Sequence, residues 1–250
     1  MLFQAHRGVS TEYPENTMPA FRAAWEQGYQ IIELDPVFTA DGKCVVFHDA
    51  TVKRTCRTED GQTLPETLKV SELTYDQLQA YDAGLFMGEK FRGTKVPLLS
   101  QALSFAAQTG QLVKLDNKFE KFEPRLQEEF FKIVEASHAR VGFTCAKPET
   151  IERVAARFPE AQIHYDGAVD EQTVTAVKAL LSGNPLTVWL PLPSRLTSWV
   201  KVPMATPELC EMVKRQAALG LWILETEEQL EQAMALGADI IETTGAIKPR

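Results

Sequence analysis

Paired cysteines and long apolar runs are both missing from this sequence. Its four cysteines, Cys44, Cys56, Cys145 and Cys210, are scattered without Cys-x-x-Cys spacing. This argues against a disulfide framework or a structural zinc site and favours a reducing compartment. No stretch is apolar over the length of a transmembrane helix, and the first residues lack the basic and apolar regions of a signal peptide. We therefore expect a cytoplasmic protein without stable membrane association.

Basic residues are outnumbered by acidic ones. The chain has 26 Lys and Arg against 34 Asp and Glu, a net charge of -8 and a pI of about 5.2. This balance argues against a nucleic-acid partner, and an anionic small molecule would need locally concentrated cationic groups. With 250 residues, 44% of them apolar, the chain can form one α/β barrel or two smaller domains. Its oligomeric state is not predicted.

Short apolar segments alternate with helical periodicity along most of the chain. This rhythm is typical of β/α units and predicts an α/β fold, a (β/α)8 TIM barrel. Too few residues join the strand candidates 31–35 and 44–47 for a helical crossover, so this pair is either irregular or not a parallel unit. The nine strand candidates, one too many for the barrel and weakest at 187–190, are 1–3, 31–35, 44–47, 111–116, 141–144, 163–166, 187–190, 221–224 and 239–242. The predicted helices are 18–28, 99–109, 124–137, 148–157, 171–181, 207–219 and 226–236.

Residues 50–99 differ from the rest of the chain in being polar and rich in turns. We interpret them as an insertion after the third strand that lies over the barrel mouth like a lid, without a separate core. On this interpretation residues 1–250 form a single barrel domain.

The first apolar segment leads directly into His6-Arg7-Gly8. Arg7 is costly to bury without a partner, so a strand end facing a site suits this pair better than a core does. Asn16 or Thr17 is expected to cap the following helix. In the next strand, Glu33 and Asp35 alternate with Ile32 and Leu34. Two neighbouring carboxylates on an inward face repel each other unless a cation or a proton lies between them.

Further chemical groups follow later strands: His48, then Asp116 and Lys118. Three carboxylates favour Mg²⁺ or Ca²⁺, and two histidines suit acid and base roles near neutral pH. Arg7 and Lys118 offer positive charge for an anion. Together these groups suit metal-assisted cleavage of a phosphodiester. Each group alone also has a structural interpretation, such as a helix cap or a turn residue for Asp116.

Other candidates are treated as background. His138 and His164 are left out of the predicted site, although the residues after His164 also lie at a strand end. Three tryptophans are expected to pack, and one of them, Trp222, is the best candidate for a wall of the substrate pocket; the three are Trp189, Trp199 and Trp222.

The ordered motifs His6-Arg7-Gly8, Pro14-Glu15-Asn16-Thr17, Glu33-Leu34-Asp35 and Val45-Val46-Phe47-His48-Asp49 resemble the glycerophosphodiester phosphodiesterase family, a group of phospholipase C-like barrels. The resemblance implies a (β/α)8 barrel with an insertion after the His-Asp strand. It also implies hydrolysis of glycerophosphodiesters to sn-glycerol 3-phosphate and an alcohol with one divalent cation, Mg²⁺, Ca²⁺ or Mn²⁺. The implied roles are catalysis by His6 and His48, phosphate or substrate binding by Arg7, Lys118 and Trp222, and metal binding by Glu33, Asp35 and Asp116.

Several positions depart from the family pattern. Asp116 stands where the family has a glutamate, and the last strands carry Glu225 and Glu242, of which either could alter substrate preference at the mouth. Two alternatives are therefore kept. One is an enzyme resembling lysophospholipase D or sphingomyelinase D that acts on lipids, and the other is an inactive barrel that serves as a binding protein.

Overall fold

The structure is a computed structural model that describes residues 1–194, 197–198, 200 and 202–249. Trp199 therefore lies outside the described residues. The strands are β1 (Leu2–Ala5), β2 (Ile31–Leu34), β3 (Pro36–Phe38), β4 (Cys44–Val46), β5 (Leu112–Leu115), β6 (Arg140–Cys145), β7 (Gln162–Tyr165), β8 (Leu186–Pro191), β9 (Ala218–Leu224) and β10 (Ile240–Thr243). The α-helices are α1 (Met18–Glu26), α2 (Tyr75–Gln79), α3 (Leu99–Thr109), α4 (Pro124–Ser137), α5 (Pro148–Arg157), α6 (Glu171–Ala179), α7 (Pro207–Lys214) and α8 (Glu227–Ala235).

Eight parallel strands close into a barrel in the order β1-β10-β9-β8-β7-β6-β5-β2. The predicted (β/α)8 fold is therefore confirmed. Ile32 and Leu34 belong to the large apolar cluster that includes helix residues, whereas Ile31 packs inside the barrel in a cluster with Leu112 and Trp189. The alternation predicted for the second strand is thus present, with one face toward the helices and the other toward the barrel interior. In the described part of the chain no helix combines the length and apolarity needed to cross a membrane.

The ninth strand candidate lies outside the barrel. Strands β3 and β4 form a separate antiparallel hairpin in which Val37 pairs with Val45, and Gly42 supplies the left-handed turn with φ +75°. Its short connection explains why no parallel crossover forms. The prediction that 187–190 is the weakest barrel strand was wrong, because β8 pairs with both β7 and β9 and all six of its residues are buried. A strand buried on both faces lacks the alternation by which an amphipathic strand is detected.

Most predicted helix boundaries agree with the structure, and 99–109, 124–137 and 148–157 agree at both ends. The helix predicted over 207–219 ends earlier, at Lys214, because β9 already begins at Ala218.

The insertion is longer than predicted and has its own buried cluster. It leaves the barrel after β2, the second barrel strand, and includes the β3-β4 hairpin before residues 50–98. The expectation that it lacks a core was wrong. Its apolar residues are spaced without helix or strand period, which hid the cluster formed by Val45, Phe47, Val52, Cys56, Leu64, Val70, Leu73, Leu78, Ala83 and Val96. That the insertion acts as a lid stays a prediction.

Aromatic packing fixes the outside of β6 against the helical layer. Phe143 is fully buried, with ring centroids 5.6 Å from Phe119 and 4.8 Å from Phe158. Removing a fully buried ring leaves a cavity whose cost adds to the lost transfer free energy.

We predict that Phe143→Ala lowers the free energy of unfolding by about 3–5 kcal/mol. The matched control Phe105→Ala should cost clearly less, because Phe105 is only partly buried beside Trp25. Urea denaturation of both variants measures the difference, and equal losses would contradict this account of the core.

Candidate active site

A cavity of about 700 Å³ opens at the carboxyl ends of the barrel strands. Six of the predicted site residues line it: His6, Arg7, Glu33, His48, Asp116 and Trp222. Asp35 and Lys118 are not among its lining residues. They pair with each other, and Asp35 also forms an ion pair with Arg7, which lines the cavity. The sequence prediction thus placed its candidates in one region of the fold.

The turn after β1 adopts an unusual backbone conformation. Arg7 has φ +59° and Gly8 has φ +81°, and a Cβ added to Gly8 would lie 2.7 Å from the Ala20 side chain. Only glycine fits this close approach of α1 to the turn. The turned backbone directs the Arg7 amide to donate a hydrogen bond of 2.9 Å to Glu33. Left-handed non-glycine residues of this kind are concentrated at functional sites.

Three carboxylates come together at the cavity wall. One oxygen each from Glu33, Asp35 and Asp116 lies within 4.8 Å of the others. Burial raises the pKa of Glu33 well above its usual value, and the charge of Asp35 adds to this effect. Burial and Asp35 also raise the pKa of Asp116. The cluster therefore favours a bound positive charge, and its hard oxygen donors fit Mg²⁺ or Ca²⁺.

Asp35 differs from the other two carboxylates because cationic side chains keep it ionised. Lys118 Nζ lies 2.9 Å from one of its oxygens, and Asn16 donates to the other at 2.7 Å. Arg7 Nε approaches to 3.4 Å as an ion pair without hydrogen-bond geometry. Burial disfavours the ionised form of Asp35, but Lys118 and Arg7 outweigh it and lower its pKa to about 2.

The expected cap of α1 is corrected by these contacts. Thr17 occupies the cap position, but its side chain makes no capping hydrogen bond and donates instead to the Pro14 carbonyl. Asn16 adopts φ +55° and is committed to Asp35. Local pattern could not reveal this, because the partner of Asn16 lies on another strand.

The two histidines have different environments. His6 Nε2 lies 3.9 Å from Glu33, and burial lowers the pKa of His6 to about 4, so its ring is neutral at pH 7. His48 Nδ1 lies 2.6 Å from Asp49. An ionised carboxylate only accepts hydrogen bonds, so Nδ1 carries the proton and Nε2 of His48 is the nitrogen left for proton transfer.

A charged network links the first motif to the insertion. Arg54 donates hydrogen bonds to Asp49 and to both carboxylate oxygens of Glu15, and Glu15 in turn accepts from Arg7. Burial opposes ionisation of Asp49, but the hydrogen bonds from His48 and Arg54 lower its pKa below the usual value. Arg7 therefore forms ion pairs with both Glu15 and Asp35.

Sequence reasoning missed an ion pair inside the barrel. Lys114 Nζ lies 3.2 Å from Glu242 and 4.2 Å from the ring centre of Trp189. All three residues line the cavity, so Trp189 contributes to the cavity wall and contacts a cation as well as packing in the barrel. Lys114 shares the inward face of its strand with Asp116, which was the available signal. Of the two acidic candidates in the last strands, Glu242 lines the cavity, whereas Glu225 is not among the lining residues described.

Asp166 and Thr144 also line the cavity and were not predicted as site residues. His164, treated as background, is fully buried and accepts a hydrogen bond of 3.0 Å from Trp189. It is not among the cavity-lining residues described, which agrees with a structural role.

A parallel barrel that gathers two histidines, an acidic cluster and cationic side chains at its strand ends has the architecture of a barrel phosphodiesterase. The model of the glycerophosphoryl diester phosphodiesterase family matches residues 6–224, and the chain belongs to this family.

Individual relatives agree with this assignment. A glycerophosphodiester phosphodiesterase of Caldanaerobacter subterraneus is 28% identical over 96% of this chain and 92% of its own length. Two solved structures share the fold. A phosphodiesterase of Oleispira antarctica in complex with the product sn-glycerol 3-phosphate has a TM-score of 0.78 at 20% identity, covering 98% of this chain and 94% of that one. A glycerophosphoryl diester phosphodiesterase of Parabacteroides distasonis has a TM-score of 0.74 at 22% identity, covering 97% and 82%.

We predict that Mg²⁺ or Ca²⁺ stabilises the protein through the three carboxylates. At a cation concentration about 100 times Kd, the gain is about 2.7 kcal/mol, a rise in Tm of roughly 5–10 °C. Because the cation competes with protons on Glu33 and Asp116, whose pKa values are raised, the gain should decrease as the pH falls.

Thermal unfolding with EDTA and then with each cation measures this effect. Asp116→Asn should reduce the shift, whereas Asp170→Asn, which keeps a capping side chain at the start of α6, should retain it. An unchanged shift in Asp116→Asn would remove Asp116 from the ligand set.

Proposed function

We propose that the protein hydrolyses glycerophosphodiesters to sn-glycerol 3-phosphate and an alcohol, and that it needs one divalent cation. The observation that carries this proposal is the shared cavity of His6, His48, Glu33 and Asp116. The family assignment supports the substrate class, and the related Oleispira enzyme is recorded with sn-glycerol 3-phosphate as its product. A reducing, cytoplasmic compartment stays a prediction that is based on the cysteine spacing.

Glu33, Asp35 and Asp116 would hold the cation, with Mg²⁺ or Ca²⁺ preferred and Mn²⁺ acceptable to the same oxygen donors. When bound, the cation neutralises charge on the non-bridging oxygens of the phosphodiester. Asn16, Lys118 and Arg7 keep Asp35 ionised and fixed, so the site is ordered before substrate arrives.

The cationic side chains have unequal access to the substrate. Arg7 lines the cavity and can present its guanidinium to a phosphate oxygen, whereas Lys118 is directed to Asp35 and to the carbonyls of Phe47 and His48. We therefore assign phosphate binding mainly to Arg7. Lys118 acts through Asp35 and by holding the segment that follows β4. Trp222 forms a wall of the pocket.

Hydrolysis needs one proton removed from the attacking water and one delivered to the departing alkoxide. His6 and His48 line the same cavity and are the groups we assign to these transfers. His48 is oriented by Asp49 and presents Nε2, and His6 is neutral at pH 7 and can accept a proton. Arg7 lines the same cavity and orients the phosphodiester between the two histidines.

The lipid-directed alternative would need an apolar surface around the mouth. The large exposed hydrophobic residues in the described part of the chain are Met1, Leu2, Trp25 and Met234. Met1 and Leu2 precede or begin β1, at the opposite end of the barrel from the cavity, and Trp25 and Met234 lie on helices. These positions favour a small glycerophosphodiester over a lipid.

We predict that His6→Ala and His48→Ala each lower kcat on glycerophosphoethanolamine by 10²–10⁴-fold, the usual contribution of a proton-transferring side chain. Neither should change the metal-induced rise in Tm greatly, because neither histidine is a predicted ligand. His138→Ala, at the end of α4, is the matched control. Turnover that survives in either site variant would exclude that histidine from proton transfer.

The leaving group separates the two roles. A 4-nitrophenolate departs without protonation, so the variant that lacks the acid should recover most of its activity on a 4-nitrophenyl phosphodiester. The variant that lacks the base should stay impaired on both substrates. Equal impairment of both variants on both substrates would contradict a division of labour between the histidines.

A further inference from the structure

One wall of the cavity contains hydrogen-bonding atoms that have no partner in the described part of the chain. Asp166 follows the carboxyl end of β7, and its Oδ2 accepts a hydrogen bond of 3.1 Å from Asn117. Its Oδ1 is buried and unpartnered among the described residues. Thr144, on the neighbouring strand β6, is 2% exposed, and its Oγ1 is likewise unpartnered among them.

Both side chains line the cavity, and the strand register places them close together. Cys145 pairs with Tyr165 in the parallel register of β6 and β7. Thr144 precedes this paired position on β6, and Asp166 follows it at the end of β7. The Asp166 amide also approaches the Cys145 carbonyl at 3.4 Å. A buried polar atom without a hydrogen bond costs roughly 1–3 kcal/mol, which a ligand that supplies the missing partner would recover.

The charge at this wall defines what it can accept. Burial raises the pKa of Asp166 to about 6, so the side chain is mainly ionised at neutral pH. The nearby cation Lys114 attracts Asp166 and favours its ionised form, but its direct contacts are with Glu242 and the Trp189 ring, so Oδ1 of Asp166 keeps no hydrogen-bond partner among the described residues. An ionised oxygen accepts hydrogen bonds and repels anions, which excludes the phosphate group from this wall.

We propose that Thr144 and Asp166 form a specificity subsite that binds a hydrogen-bond donor on the substrate, either a hydroxyl or a primary ammonium group. The inference rests on the proposed function, since the donor belongs to a phosphodiester whose phosphate lies at Arg7 and the acidic cluster. Asn117 fixes the carboxylate of Asp166 in the orientation that leaves Oδ1 open. A quaternary ammonium group has no N–H and cannot satisfy this oxygen.

Asp166→Asn reverses the hydrogen-bonding character of the subsite. The amide oxygen must accept from Asn117, which turns the new NH₂ group toward the position of Oδ1 and offers a donor to a donor. We expect kcat/KM on glycerophosphoethanolamine to fall about tenfold or more, mainly through KM. Thr144→Val, which replaces the hydroxyl by a methyl group, should also lower kcat/KM on glycerophosphoethanolamine, but by a smaller factor.

The test compares glycerophosphoethanolamine, glycerophosphocholine and bis(4-nitrophenyl) phosphate, which has no donor group. Asp170→Asn is the matched control, because this Asp lies four residues away at the start of α6, outside the described cavity lining. A larger loss on the ethanolamine diester than on the choline diester supports binding of the ammonium group. Equal losses on these two, with bis(4-nitrophenyl) phosphate spared, support binding of the glycerol hydroxyls.

Equal losses on all three substrates, or no loss on any, would overturn the subsite, because the two residues would then be structural or satisfied by water alone. These outcomes leave wild-type turnover of the glycerophosphodiesters intact and so contradict only the subsite. Absence of wild-type turnover on both glycerophosphodiesters would overturn the proposed function and the subsite with it.

Discussion

The structure around the cavity depends on how the repulsion among three buried carboxylates is compensated. Glu33, Asp35 and Asp116 bring oxygens within 4.8 Å of one another, an arrangement that burial makes costly unless positive charge is supplied. Lys118 and Arg7 supply part of it at Asp35, and a divalent cation would supply the rest. The irregular backbone nearby follows from the same requirement. The turn at Arg7 and the left-handed conformation of Asn16 direct an amide and a side chain to these carboxylates.

The insertion is tied to the barrel by the same charges. Lys118 reaches from Asp35 to the carbonyls of Phe47 and His48, and so sets the end of the β4 segment. Arg54 then joins Asp49 to Glu15, the partner of Arg7. The two histidines belong to segments far apart in sequence, and this network brings them to one cavity. A substitution in it is therefore expected to act on catalysis as well as on the fold.

Much of this arrangement could be predicted from the sequence, because strand alternation and strand ends are local signals. Glu33 and Asp116 were predicted in this way to share a site, and both line the cavity because parallel strands bring their carboxyl ends to one side. The remaining features depend on distant partners. The role of Asn16 is set by Asp35, and Lys114 pairs with Glu242 from the far end of the chain. The insertion's core and strand β8 were misjudged because neither has the amphipathic period that sequence reasoning detects.

Metal-dependent diesterase activity is tested by measuring release of sn-glycerol 3-phosphate from glycerophosphoethanolamine by the purified protein. The assay is run after EDTA treatment and again after Mg²⁺, Ca²⁺ or Mn²⁺ is restored. We expect no release in EDTA and recovery with at least one cation, together with loss of that recovery in Glu33→Gln. Full activity in EDTA, or no activity with any of the cations, would contradict this expectation.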